Sequence, residues 1–487
     1  MIDLDAFELH TVDNWHSSSE ERRKAIVDGN VERLRRGVDD WNHWVVRLVA
    51  WAKKNDISVC IYFDDSEWVG NTNFAGFRFT VSVSFLRAQF IADPAGRGGV
   101  DFSDAYFYAD ANFVEAKFSN TRAVFRNTRF LGYADFSNTE FNGPYLTFAN
   151  ATFSGDFSFE SAKVRGCPSN FVGADFCGDA VFNYTEFCRS VDFGDATFKG
   201  GQALFEEVTF HRAWAHFAGA EFSASVTRFR GFCVQGVGFS RAIFARNVAF
   251  NDVRFLGSCD WKNADFREVL SFTDCIFRQV PDFNFVTFKQ PPHLATMHIP
   301  WSPKRSDGVP NTEAYRKLKQ MAKDVGDHQH ELKYFAYELY SKLYSDRTSK
   351  AHKMGIVIYR ALSDFGQSLV RPVVSALVFF GLTAVIQWTI LAERSACPNI
   401  ETVWQVECKF EKERVNPISA IARERLNAAL LFLPTNRVEQ ASISRCLYGD
   451  EGYKPFWSKV MNSVHSLLSA ACLFLFGLGV RNRFKMK

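Results

Sequence analysis

From Phe85 onward the chain returns to a large apolar residue at intervals that fit neither the 3.6-residue helical period nor the two-residue alternation of a strand. The stretch VFRNTRFLGYADFSNTEF shows the rule, with phenylalanine at 125, 130, 136 and 141. The ladder runs to Phe288 with gaps mostly of five, six or seven, through Phe171, Phe176, Phe182, Phe187, Phe193 and Phe198, and on through Phe250 and Phe255. Two positions before the large residue the chain places a small one, as at Ala123, Thr128, Ala134, Thr139, Ala180, Thr185, Cys259 and Cys275. The unit is small, any, Phe, polar, polar.

Two inward positions separated by one outward residue make a minimal strand, and the two polar residues that follow let the backbone turn. Four such faces, with one or two extra residues after every second pentad, give about 22 residues per coil. Coils stacked at roughly 4.8 Å predict a β-solenoid of about nine coils between Phe85 and Phe288, a rod on the order of 40 Å long. Its interior is a column of phenyl rings with small side chains beside them, and contacts run only between neighbouring coils.

The segments ANFVEAKF, ADFSNTEF and AVFNYTEF resemble the pentapeptide-repeat proteins, in particular the bacterial class with a central Phe and alternating gaps of five and six. The resemblance implies a right-handed quadrilateral β-helix and says little about function.

Outside the ladder the periodicity changes. Residues 1–58 read as a helical N-terminal cap, with a helix start at Ser18 or Ser19 ahead of Glu20 and Glu21. A solenoid end exposes strand edges and needs a cover, which Trp41, Trp44 and Trp51 on a helix would supply. The fragment Gly37-Val-Asp-Asp-Trp-Asn-His-Trp44 also resembles the entry found ahead of repeats in related proteins. The β-helix is expected over 59–290. Over 291–366 follow a proline-rich linker or irregular cap and amphipathic connector helices, with a joint at Gly326; the segment YRKLKQMAKDVGDHQHELKYFAYE resembles the connector of membrane-linked members of that family.

Residues 367–487 are apolar enough to predict two transmembrane helices, at about 372–391 and 462–480. Lys350, Lys353, Arg360 and Arg371 precede the first, and Arg481, Arg483, Lys485 and Lys487 follow the second. The excess of positive charge at both ends places them in the cytoplasm, with the loop 393–461 in the periplasm. The segment FLFGLGVRNRFKMK resembles the closing sequence of bacterial inner-membrane pentapeptide proteins. The opening MIDLDAFELH lacks the features of a secretory signal, in keeping with a cytoplasmic rod. An oxidising periplasm would permit one disulfide in the loop, Cys397 with Cys408 being the nearer pair and Cys446 the third thiol.

Composition narrows the function. Phenylalanine numbers 51 against 14 Tyr and 11 Trp, which fits the column, and the net charge of +3 makes no whole-chain case for a nucleic-acid binder. Gyrase-protecting pentapeptide proteins are read as DNA mimics, but Arg126, Arg129, Arg228, Arg230, Arg241, Arg246 and Arg254 interrupt any continuous negative face here. No nucleotide loop, zincin motif or nucleophile elbow is present, so no catalytic residue, cofactor or metal is assigned. Asp327-His-Gln-His-Glu331 reads as a polar joint, with His328 and Glu331 on one helical face. Repeat carboxylates such as Asp135, Asp175, Asp192 and Asp265 read as outward turn-supporting groups.

The expected function is a non-enzymatic, membrane-anchored scaffold or protein-binding platform. Its partners would be the lipid bilayer, a protein that no motif identifies, and further copies of itself. The alternative is a subunit of an oligomeric two-helix ion channel, or a membrane-disrupting effector, with the rod as sensor or assembly module. Gly477 and Gly479 would then serve gating or close helix packing, and the apolar piece Leu426 to Pro434 a re-entrant segment. Leu447-Tyr-Gly-Asp450 shares only Tyr-Gly-Asp with potassium filters.

Overall fold

The computed structural model describes residues 7–394 apart from 97, 212, 295 and 306, together with 408–410, 413–415, 417–429 and 456–485. The chain forms two compact units, Met1–Asp327 and His328–Lys487.

The first unit is a β-solenoid of about ten coils. Four parallel sheets, three of ten strands and one of nine, form its four faces, and each strand pairs with its equivalents one coil before and after. The rings stack as the ladder requires. Phe113 lies 4.6 Å from Phe136, and Phe125 lies 4.9 Å from Phe102 and 4.7 Å from Phe148, with nearly parallel planes. Rings of opposite faces meet edge to face across the interior, as Phe125 and Phe136 do at 5.3 Å and 87°.

The uneven step of the ladder reflects two kinds of corner. Each five-residue step carries a residue in the left-handed region two positions after the large side chain, as at Asn127, Asn138, Asn150, Ser161 and Asp195. Asn and Asp tolerate that conformation best among residues with a Cβ. Most longer steps form open bends, and on one of these corners Gly132, Gly155, Gly178 and Gly200 succeed one another coil by coil. A Cβ at Gly155 would collide with the Gly132 carbonyl, and one at Gly178 with Gly155. The small position has its own chemistry: Thr128, Thr139 and Thr185 donate their hydroxyls to the carbonyls of Phe102, Phe113 and Phe159 at 2.7–2.8 Å.

The ends are covered. The helical N-terminus is α1 (Val12–Ser17), α2 (Glu20–Arg35) and α3 (Val38–Asn55). Ser19 caps α2, and Gly37, at φ 107°, breaks the chain between α2 and α3. Trp41 is fully buried on Phe63, Phe77 and Phe79. Its Nε1 donates to the Arg78 carbonyl at 3.1 Å while Asn42 Oδ1 accepts from Arg78 N at 2.9 Å, so α3 satisfies the open edge of the fourth sheet.

At the other end the coil pattern continues past Gln290. Isolated parallel bridges join Ser271 to His293 and Ile276 to His298, with Leu294 and Ile299 buried where the ladder would put its next large residues. Helix α4 (Thr312–Asp324) closes this end, its Tyr315 hydroxyl accepting from Ser302 N at 2.9 Å and its Lys317 lying over Phe288.

The second unit begins after Gly326 with α5 (His328–Ser341) and α6 (Lys350–Ser363). It continues with α7 (Val370–Arg394), α8 (Pro417–Ala429) and α9 (Phe456–Lys485). Strands Cys408–Phe410 and Glu413–Val415 pair antiparallel between α7 and α8. Two stretches, Val370–Thr389 and Lys459–Phe484, are long and apolar enough to cross a membrane, with only 11% and 22% of their apolar windows buried. A core helix of a soluble protein would be mostly covered.

Helices α7 and α9 run antiparallel. Asn482 Nδ2 donates to Gly366 O just before α7 begins, and Thr383 meets His465 near the opposite ends of the two helices.

Candidate functional site

On the rod, what remains for recognition is the set of outward positions. The twelve ladder residues named above, Phe125, Phe130, Phe136, Phe141, Phe171, Phe176, Phe182, Phe187, Phe193, Phe198, Phe250 and Phe255, are all buried core. Because strands stack in register, outward residues form columns one residue wide. On the second face Lys117, Glu140, Lys163 and Glu186 alternate in sign from coil to coil, and Arg165 pairs with Glu186 at 3.4 Å. Mixed columns of this kind stabilise neighbours locally and leave no long field of one sign.

The fourth face differs. There Tyr106 lies between Arg78 and Arg129, whose guanidinium carbons sit 6.0 and 5.2 Å from its ring centroid, and stacks on Tyr108 at 5.9 Å. Tyr108, Leu131 and Tyr133 are exposed beside it. This arginine–tyrosine patch has a sequence signal that position-by-position reading passes over: Arg78, Tyr106 and Arg129 each stand just before a ladder Phe.

The repeat carboxylates are held locally. Asp135 and Asp192 accept from Ser137 N and Gly194 N at 2.9 and 2.8 Å, Asp175 takes Thr197 Oγ1 and pairs with Lys199 at 2.7 Å, and Asp265 pairs with Arg267 at 3.0 Å. Lys199 and Thr197 together lower the Asp175 carboxyl below its ordinary range, against the opposing effect of partial burial. His328 Nδ1 lies 3.1 Å from Glu331 within α5, and no group of three metal-ligating side chains occurs among the described residues.

The second unit holds a feature the sequence reading did not single out. Helix α8 lies against both α7 and α9 and turns a polar face inward: Glu424 and Arg425 are 0% exposed, and Asn427 is buried with them. Gln387 of α7 fastens both charges, donating from Nε2 to the Glu424 carboxylate and accepting from Arg425 Nε at Oε1, at 2.6 Å for the latter. Asn462 of α9 donates to the other Glu424 oxygen at 3.4 Å. One turn further along, Thr383 Oγ1 lies 3.1 Å from His465 Nδ1 and spends its own hydrogen on the Phe379 carbonyl at 2.8 Å. The histidine is therefore the donor in that pair.

The signal for this knot was the spacing of polar residues inside apolar helices: Thr383 and Gln387 at i, i+4 on α7, Asn462 and His465 at i, i+3 on α9. On α8, Ile421, Glu424, Arg425 and Ala428 share a face.

A groove of about 380 Å³ continues from His465 between α7 and α9, lined by Pro372, Leu377, Phe380, Ser469 and Cys472 among others. Of the two glycines singled out from sequence, Gly479 packs where a side chain would strike Leu369, while Gly477 has open space around it. Leu426 is exposed on α8 and the remainder of the piece to Pro434 lies outside the described residues, apart from Asn427 to Ala429. Cys397, Cys446 and Leu447 to Asp450 also lie outside them, and of Cys408 only the backbone strand is described.

No family model, curated protein or solved structure matches this chain.

Proposed function

We propose that the protein is a non-enzymatic scaffold of the Phe-centred pentapeptide-repeat type, anchored in a bacterial inner membrane and presenting its rod to the cytoplasm. The observation that carries this reading is the exposure of the helical unit: Leu377 is 66% and Phe474 70% exposed, on helices of spanning length whose Gln387, Asn462 and His465 are buried. The orientation rests on the basic residues Lys350, Lys353, Arg360 and Arg371 before the first span and Arg481, Arg483 and Lys485 after the second. The loop 393–461 is then periplasmic. Recognition falls to the rod's outward columns, since its inward positions are filled by phenylalanine.

Fractionation tests the anchor: the full chain should sediment with membranes and resist alkaline washing, and recovery in the soluble fraction would refute it. A reporter fused after Lys487 should report a cytoplasmic location.

The knot of Gln387, Glu424, Arg425, Asn462 and His465 supports a second reading, in which copies of the helical unit assemble a polar path for ions. Polar side chains within membrane helices, here Gln387, Asn462 and His465, characteristically mark such paths. Planar-bilayer recording separates the two. Current abolished by Glu424→Gln would favour the pore, and a silent, correctly inserted protein would favour the scaffold.

A further inference from the structure

The fourth face of the rod carries a pattern that is complementary to itself. Its ten strands pair in a strict register, with Arg78, Tyr106, Arg129, Thr152 and Asp175 succeeding one another in one outward column. The column goes on through Thr197, Glu221, Ile243 and Asp265 and ends at Thr287. Read outward from Asp175 in both directions, the column gives threonine against threonine, then Arg129 against Glu221, Tyr106 against Ile243, and Arg78 against Asp265. Positive charge at one end of the column answers negative charge at the other.

We propose that two copies of this chain dimerise face to face through this surface. The rods run antiparallel about a two-fold axis that lies in the interface and crosses them at Asp175. An axis placed this way keeps each outward column opposite itself. The neighbouring column, two residues further along each strand, then obeys the same operation. It sets Tyr108 against Ala245, Leu131 against Ser223 and Ser154 against Lys199, so that large side chains meet small ones and no like charges oppose. The one like-charged meeting is Asp175 with its own copy on the axis, and each of these carboxylates is already paired with Lys199 at 2.7 Å. Arg129 is pre-ordered for its partner by its stack on Tyr106.

Nine of the ten coils overlap about this axis, roughly 40 Å by 15 Å, which offers on the order of 600 Å² per copy, at the lower end of what a standard interface needs. Arginine and tyrosine, residue types that often dominate binding energy, lie two to four coils from the axis and so occur at both ends of the interface. The proposal concerns the first unit alone and does not rest on the membrane reading.

The geometry supplies its own probe. Cys177, exposed and two residues after Asp175, falls on the axis opposite its own copy. Packed sheets lie about 10 Å apart, so a short bis-maleimide should join the two thiols. In full-length protein purified in detergent, light scattering should give a dimer, and the reagent should produce a covalent dimer that Cys177→Ser abolishes. Arg129→Glu should weaken dimerisation at least tenfold, and adding Glu221→Arg should restore it, which a merely misfolded rod would not do. A monomeric mass, a covalent dimer that survives Cys177→Ser, a dimer that Cys177 cannot join, or a charge swap that fails to rescue would each overturn the proposal.

Discussion

Between Phe102 and Phe283 the rod buries phenylalanine and turns arginine, aspartate and asparagine outward, while in the helical unit Glu424 and Arg425 are 0% exposed and Leu377 and Phe474 stand 66% and 70% exposed. On the membrane reading proposed above, both units follow the same physics in different solvents. In water, apolar surface is removed at about 25 cal/mol per Å², and the backbone of the strands is met by the coils above and below. In hydrocarbon there is no gain in hiding leucine, so association depends on polar contacts and packing. The Gln387 amide bridging an adjacent carboxylate and guanidinium is such a contact. On that reading, the inversion within one chain separates an anchor from a second soluble domain.

The largest effect that should expose this contrast is a carboxylate placed in each setting. Phe136→Glu sets an unpaired charge in the dry column, and no neighbour can answer it; loss of the cooperative unfolding transition is expected by circular dichroism. Leu377→Glu on the outward face of α7 should instead leave the rod folded and lower membrane insertion by about 2.5–3.5 kcal/mol, seen as a larger unanchored fraction.

Next in size is the knot. Glu424→Ala removes the carboxylate to which the Gln387 and Asn462 amides donate and should cost the helical unit about 1–3 kcal/mol, measured by thermal unfolding in detergent. An unchanged melting point in the Glu424→Ala variant would show the knot to be incidental.

A smaller effect belongs to the column itself. Thr139→Val keeps the shape but removes the hydroxyl bonded to the Phe113 carbonyl at 2.8 Å, a loss of about 1 kcal/mol. Thr139→Ser should retain the bond, so the pair of variants separates hydrogen bonding from packing in chemical unfolding.

The smallest net effect is expected at the N-terminal cap, where ionisable groups are buried. Burial, and secondarily Arg33, lowers His10 to about 4, and burial raises Asp64 to about 6. The signs oppose. As pH falls from 6.5 toward 4 the unfolded chain protonates the histidine first, so His10 removes stability, about 3 kcal/mol at most. Over about 4 to 6 the folded chain keeps the Asp64 proton longer, so Asp64 adds stability toward acid. Native cap stability should therefore vary little across that range, whereas His10→Phe should make it rise as pH falls, readable from hydrogen exchange in α2 and α3.

The rod was legible because its period is carried by one side chain. Phe125, Phe130, Phe136 and Phe141 announce both the coil and its corners, although the left-handed residue that distinguishes the five-residue step is only a mild preference for Asn and Asp at 127, 138 and 150. Where the side chain changes, the signal fades: Leu294 and Ile299 continue the ladder at its own spacing, yet prolines around them hide it. The second unit's apolar helices could be read from composition, but its polar knot could not. Glu424 and Arg425 look like surface charges on an ordinary helix until α7 and α9 bring Gln387 and Asn462 to them, a long-range contact that no local period records.

The central claim is that the two units face different solvents. Full-length protein reconstituted in vesicles containing a photoactivatable phospholipid with a diazirine in its acyl chain tests this most directly, with labelled peptides mapped by mass spectrometry. The account predicts label confined to Val370–Thr389 and Lys459–Phe484, at outward residues such as Leu377, Leu382, Leu467 and Phe474, and none on the coils. Label spread over the rod faces, or absent from both helices, would contradict it.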